Sequence, residues 1–420
     1  MKRQFVRLTK EAYLQKYEKT GIPADGKNYI INTGVSSELP EKLDLLAIAN
    51  SVLDYDSTLP SYRLIGDKDG SITVRGSTGG NAVREGKGDG DAIRISDGNG
   101  HARRYGSGTG DAIRKGSGHG DARREDEGKG HAFRTDDGFG DAVHYGTGIG
   151  NATRKGSGYG DARREGGGIG HAYREGSGDG KALRYGAGDG NAYRGGSGEG
   201  DAKIYGTGKG NANRYDSGRG NAIRQGPGDG NAERSGSGFG DARREDSGAG
   251  NATREDDGEG SAYRTNDGAG DAIRSGKGEG YAHRDGLGTG NAIRRGKGRG
   301  NAARYGDGAG TANRYGSGYG DANRMGDGTG DAIQDGSGDG NANRDGNGIG
   351  DAKRDGEGNG DARRDGNGTG DALRDGEGNG HAYRLGNGRG NAERTGAGAG
   401  KGFAKKGVVK QITDFFRGSS

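Results

Sequence analysis

From Asn81 to Gly400 the chain is thirty-two consecutive ten-residue units without one insertion, and that period limits the folds open to it more than any other feature. In the frame Asp111-Ala-Ile-Arg-Lys-Gly-Ser-Gly-His-Gly120 the columns are numbered one to ten. Column two is Ala in every unit and columns eight and ten are always Gly. Column six is Gly in twenty-five units and column four is Arg in twenty-nine. Column one is Asp thirteen times, Asn eleven and His four, while columns three, five, seven and nine take almost any residue. Strands point successive side chains to opposite faces, so fixed even columns and free odd columns mean one constrained face and one free face. Collagen needs Gly every third residue, and this spacing is incompatible with it.

The pattern predicts an all-β fold, a thin β-solenoid or β-roll with ten residues and two short strands per coil, Ala and Gly inward. At ~4.8 Å per coil, thirty-two coils would rise about 150 Å. The exceptions in column six locate a corner. They are Asp126, Asp136, Asp216, Asp246, Asp256, Asn266 and Ser96, and Asp and Asn are the side chains that best tolerate a left-handed backbone. Pro227, next to that corner, spares one N–H from the ladder. The second corner is expected to run from column ten into column one, where an Asx side chain bonds its own backbone.

Composition bounds what the chain can be. It holds 102 Gly, only 26% hydrophobic residues, and neither Trp nor Cys, so a conventional apolar core of matching size is excluded. Without cysteine there are no disulfides, thiolate metal sites or cysteine nucleophiles. The start, Met1-Lys2-Arg3-Gln4-Phe5-Val6-Arg7-Leu8, has no apolar region after it, which reads as no signal peptide and as a cytoplasmic or virion-associated chain. No run is long enough for a transmembrane segment. The repeats carry 48 basic and 49 acidic side chains, without the net basic excess of a duplex-binding surface, so no duplex nucleic acid is expected on them.

Three regions follow. Residues 1–78 read as a small α+β head, with a helix over Lys10–Lys19, a second through Leu43, Leu45, Leu46, Ile48, Ala49, Val52 and Leu53, and a β-hairpin of Tyr62–Ile65 and Ser71–Val74 that templates the first coil. Residues 79–400 are the repeat array. Residues 401–420 read as a short amphipathic helix, with Val408, Val409, Ile412, Phe415 and Phe416 on one face, serving as a cap or as a docking tail.

Parity places the Arg column inward, where an isolated guanidinium is untenable. Two readings stand. In one, the guanidinium groups stack along an edge, bonded to corner carbonyls and to carboxylates of columns one and five; in the other, they form a comb for an anionic polymer. Tyr105, Tyr145, Tyr185, Tyr205, Tyr215, Tyr305 and Tyr315 share column five and would stand on one face as an interaction surface. No outward column repeats Thr, against ice binding, and the seven histidines join no Ser and fixed carboxylate, so no triad is visible. No catalytic residue, cofactor or metal site is assigned.

The Gly-x-Gly-Asp runs resemble the calcium-binding RTX-type nonapeptide β-rolls, although here the period is ten and no large apolar residue recurs. The tiling of residues 81–400 is similar to Gly-rich decapeptide-repeat proteins of phages and bacteria, a largely uncharacterised group that implies a setting and no activity. The reading is a non-enzymatic structural or interaction protein whose partner is an unknown protein or surface ligand, self-association included. The alternatives are a phage or cell-surface adhesin or fibre component using the variable columns, and a calcium-dependent β-roll.

Overall fold

A computed structural model of the chain describes residues 69–75, 80–95 and 97–404, together with the backbone of five earlier strands. Those are β1 (Phe5–Thr9), β2 (Asn28–Asn32), β3 (Lys42–Ala47), β4 (Val52–Leu53) and β5 (Ser61–Ile65). Every regular element among the described residues is a β-strand. The expected helix over Lys10–Lys19 and the expected tail helix lie outside them.

The molecule is a parallel β-solenoid divided into two compact units, Met1–Gly210 and Asn211–Ser420. In the first, Ala92, Ala112, Ala132, Ala152, Ala172 and Ala192 pair in register on one sheet. Ala82, Ala102, Ala122, Ala142, Ala162, Ala182 and Ala202 pair on the other. In the second unit Ala232 pairs with Ala252 and Ala222 with Ala242, and the same offset continues to Ala372↔Ala392 and Ala382↔Gly402. Every such pair is twenty residues apart.

The ten-residue unit is therefore a half-turn: one strand over columns two to four or five, then one glycine arch over columns six to ten. The expectation of two strands and two corners within ten residues is corrected. A full turn takes two decapeptides, with strands on opposite sheets. The physical reason is the inward Arg, whose extended side chain needs five residues of arch to surround it. Rise per decapeptide is halved, so the thirteen repeats of the first unit and the nineteen of the second stack over about 31 Å and about 46 Å at ~4.8 Å per turn.

Parity is as read. Column-two Ala side chains from Ala82 to Ala382 are fully buried, and so is almost every column-four Arg, whereas columns three, five, seven and nine are largely half-buried or exposed. The column-six corner is also as read: Asp126, Asp136, Asp216, Asp246, Asp256 and Asn266 have φ between 69° and 79°. Ser96 lies outside the described residues.

The head departs from expectation. Leu43–Ala47 is strand, not helix: β3 pairs antiparallel with β6 (Gly70–Arg75), Leu43 opposite Val74 and Leu45 opposite Ile72. A partner strand from thirty residues on satisfies this backbone, and that long-range pairing overrides the local helical pattern. Val52 and Leu53, the end of the same expected helix, are strand as well. The expected hairpin of β5 with β6 does not form either. β5 pairs parallel with β7 (Asn81–Glu85) and β6 parallel with β8 (Ala92–Ile95), so the two are the first half-turns of the solenoid. Ile72 and Val74 occupy the Ala and Arg columns there and are buried, an apolar plug at the array's start.

The invariance of column eight has a steric cause. A Cβ on Gly168 would lie far inside van der Waals contact with the Gly148 carbonyl and with Arg164 Nη2, whereas at neighbouring Gly167 the nearest atom would be Thr147 Cγ2 at 3.9 Å. Gly168→Ala is expected to lower the unfolding free energy by roughly 2 kcal/mol or more as overpacking, with a marked fall in the urea midpoint, while Gly167→Ala stays within about 0.5 kcal/mol. Equal midpoints for the two variants would contradict the packing described.

Candidate functional site

The interior answers the question posed by the Arg column. Each guanidinium lies inside the glycine arch on its own side, against the arch of the preceding turn. Arg104 donates from Nε to the Gly90 carbonyl (2.9 Å), from Nη1 to Gly86 (3.1 Å) and from Nη2 to Gly88 (2.8 Å), and Nη1 also donates to the Tyr105 carbonyl. Arg344 repeats this in the second unit with Gly330 (3.0 Å), Gly326 (3.0 Å), Gly328 (2.7 Å) and Asp345. Columns six, eight and ten thus present three carbonyls to one planar fork, a fit that Arg offers and Lys does not.

Where column six is not Gly, its carbonyl still serves. Arg154 Nη1 donates to Asp136 O (3.0 Å) and Arg284 Nη1 to Asn266 O (3.0 Å). In Arg124, Arg164 and Arg244 the Nε makes no such bond, so their forks are held by fewer carbonyls. The acceptors are the corner carbonyls expected, and for Arg104 and Arg344 they stand in place of the expected carboxylates of columns one and five. On the outer surface the carboxylates form ion pairs instead, such as Arg243–Asp241 (2.8 Å) and Lys353–Asp351 (3.1 Å). With the guanidinium groups buried, the comb for an anionic polymer is overturned.

Burial, then the guanidinium groups one turn above and below, push these arginines down: Arg174 and Arg234 to about 9, Arg104 and Arg264 to about 10. All remain protonated near neutral pH. The charge is consequently sorted by radius. The repeats of the first unit carry nineteen acidic against ten basic side chains outside the Arg column, and those of the second thirty against nine. A neutral sequence folds into a cationic core within an anionic sheath.

Column one forms a second ladder. Asp121 Oδ1 accepts from the Asp141 amide (2.9 Å), Asp141 Oδ1 from Asp161 (2.8 Å) and Asn151 Oδ1 from His171 (2.9 Å). His101 Nδ1 and Ser71 Oγ do the same for Asp121 and Asp91. The bond runs to the next turn, correcting the expected bond to the residue's own backbone. It needs an acceptor close to the Cα, which explains why Asp, Asn, His and Ser interchange there. Among the described residues no three His, Cys, Asp or Glu side chains converge to hold a metal ion.

The candidate tyrosines are all half-buried and do not share one face. Tyr105, Tyr145, Tyr185 and Tyr205 follow the same sheet of the first unit. In the second unit Tyr315 follows one sheet, while Tyr305 follows the other. Tyr215, too, follows the sheet of Ala212 and Ala232. Tyr185 and Tyr205 stack at 5.3 Å, and Arg123 lies 4.8 Å over the Tyr145 ring. Val408, Val409, Ile412, Phe415 and Phe416 lie outside the described residues.

A twenty-residue turn reveals features that a ten-residue reading averages away. His119, Phe139 and Tyr159 stack on successive arch tips, with centroids 4.7 Å and 5.2 Å apart, and Phe139 and Tyr159 are about half exposed. The two sheets of the first unit also differ in column three. One alternates Arg103, Arg123, Arg163 and Lys203 with the buried Val83, Val143 and Leu183, and the other carries Ile93, Ile113, Phe133, Thr153, Tyr173 and Tyr193. Separating odd from even repeats would have shown both. No family model, curated protein or solved structure matches the chain.

His144 breaks the Arg ladder between Arg124 and Arg164. Burial and those two cations push it from about 6.5 down to about 3. Between those values the unfolded chain binds the extra proton, so stability falls as pH falls through the window, by up to about 1.4 kcal/mol per pH unit. Gln occupies the same column at Gln334. Urea midpoints of His144→Gln should fall less steeply than those of the unaltered chain between pH 6.5 and 4; parallel curves would refute the assignment.

Proposed function

We propose that the protein is a non-enzymatic structural or interaction protein, a rod-like repeat array that presents its variable columns to partners. One observation carries the reading: the inward columns are used up by mutual satisfaction of guanidinium, glycine carbonyl and Ala methyl, so side-chain choice is free only outside. An anionic sheath favours partners with basic surfaces and repels polyanions, with a strong dependence on salt.

A second reading, a cell-surface or phage adhesin, draws on the exposed Phe139 and Tyr159 ring stack. Location separates the two: immunogold label confined to the cell interior contradicts the adhesin. The calcium alternative predicts a circular dichroism spectrum that collapses in EDTA and returns with calcium. The carbonyl-held core predicts the same spectrum in both.

The interaction reading is tested by proximity labelling in the cell of origin, with the unaltered chain and with Tyr105, Tyr145, Tyr185 and Tyr205 all changed to Ser. Partners lost from a variant with unchanged circular dichroism support display by the outward columns. An identical set of labelled proteins would count against it.

A further inference from the structure

We propose that the apolar column of the first unit, Ile93, Ile113, Phe133, Thr153, Tyr173 and Tyr193, pairs with the same column of a second copy of this chain, the two running antiparallel about a two-fold axis between Phe133 and Thr153. The proposal rests on the reading of the outward columns as interaction surfaces and names the partner of one of them. These six side chains lie in consecutive register on one sheet. His131 tilts against Phe133, His171 against Tyr173, and Tyr173 against Tyr193. Together they form a nearly unbroken apolar stripe, half-buried except for the buried Thr153.

The column is complementary to its own reverse. Turned end for end, Ile93 meets Tyr193, Ile113 meets Tyr173 and Phe133 meets Thr153, so every aromatic ring faces a smaller side chain and volumes interdigitate. The flanking columns agree. Under the same rotation Lys115 meets Glu175 and Asp111 meets His171, with no like charges opposed. A parallel pairing would set Tyr on Tyr and Phe on Phe. The isologous geometry is that of a two-fold dimer, in which residue i meets j and j meets i.

The patch is small. Six turns at ~4.8 Å by five strand columns at ~3.3 Å make about 29 Å by 17 Å, below the usual area for a permanent dimer, so the association is weak and of micromolar order. The charge pairs set its register.

The test uses the full chain in sedimentation velocity across a concentration series, with charge-swap and cysteine variants; the chain has no native cysteine to interfere. Lys115→Glu sets two acids opposite each other and should raise the dimer Kd about tenfold or more, as should Glu175→Lys. The double variant Lys115→Glu/Glu175→Lys should restore it. Under mild oxidation a mixture of Ile113→Cys and Tyr173→Cys chains should cross-link, and neither alone. Monomer at every concentration, a Kd indifferent to the swaps, or cross-linking of Ile113→Cys with itself overturns the proposal. Those outcomes leave the broader interaction reading standing, because that reading fails only on unchanged proximity labelling.

Discussion

The structure depends on one contact, a guanidinium held by glycine carbonyls. An inward Arg has no water to solvate it, and a lone buried cation would be driven out. Three carbonyls at alternate arch positions, joined by one from its own strand, replace that water. Charged hydrogen bonds of this kind are worth about 1.5–3 kcal/mol each. Stacked guanidinium groups one turn apart still repel, by about 3 kcal/mol per neighbour at an effective dielectric of ~20. The acidic side chains outside supply the opposing field. Arg, Gly and surface Asp are therefore parts of a single device.

That device explains why the repeat tolerates so little on one face and so much on the other. A Cβ at column eight strikes the guanidinium and the carbonyl of the turn before. A residue at column six must accept positive φ, and Asp or Asn does so while still offering its carbonyl. Column one needs only a short acceptor for the amide one turn on. Each rule concerns a ladder of equivalent positions, so one substitution affects two neighbours, as nearest-neighbour accounts of repeat proteins require. Columns three, five, seven and nine sit on none of the inner ladders, and there function is free to vary without touching the fold.

Much of this was legible in the residues. The period-two constraint exposed the inward face because strand side chains alternate whatever the surrounding fold. The corner at column six followed from Asp126 and Asn266, because φ preference is a local property of a residue. The helix expected through Leu43 to Leu53 failed for the opposite reason. Its apolar spacing suits a helix, but the pairing with Ile72 and Val74 is set by residues far along the chain. Corner carbonyls around the Arg column were expected from parity, but which ones was hidden, since they are backbone atoms fourteen to eighteen residues earlier, which no side-chain pattern records.

The sequence by itself determined which side chains point inward, where the backbone must bend to positive φ, and that the array has no break. It could not decide which repeat pairs with which, because units ten and twenty residues apart look alike when every unit obeys one consensus. The tertiary structure decided that an arch surrounding an extended Arg occupies half of every unit, so a turn needs two units. Odd and even repeats then fall on opposite sheets. That assignment alone separates the mixed face of Arg103, Arg123, Arg163 and Lys203 with Val83, Val143 and Leu183 from the apolar face of Ile93 to Tyr193, and converts a neutral repeat into a cationic core with an anionic exterior.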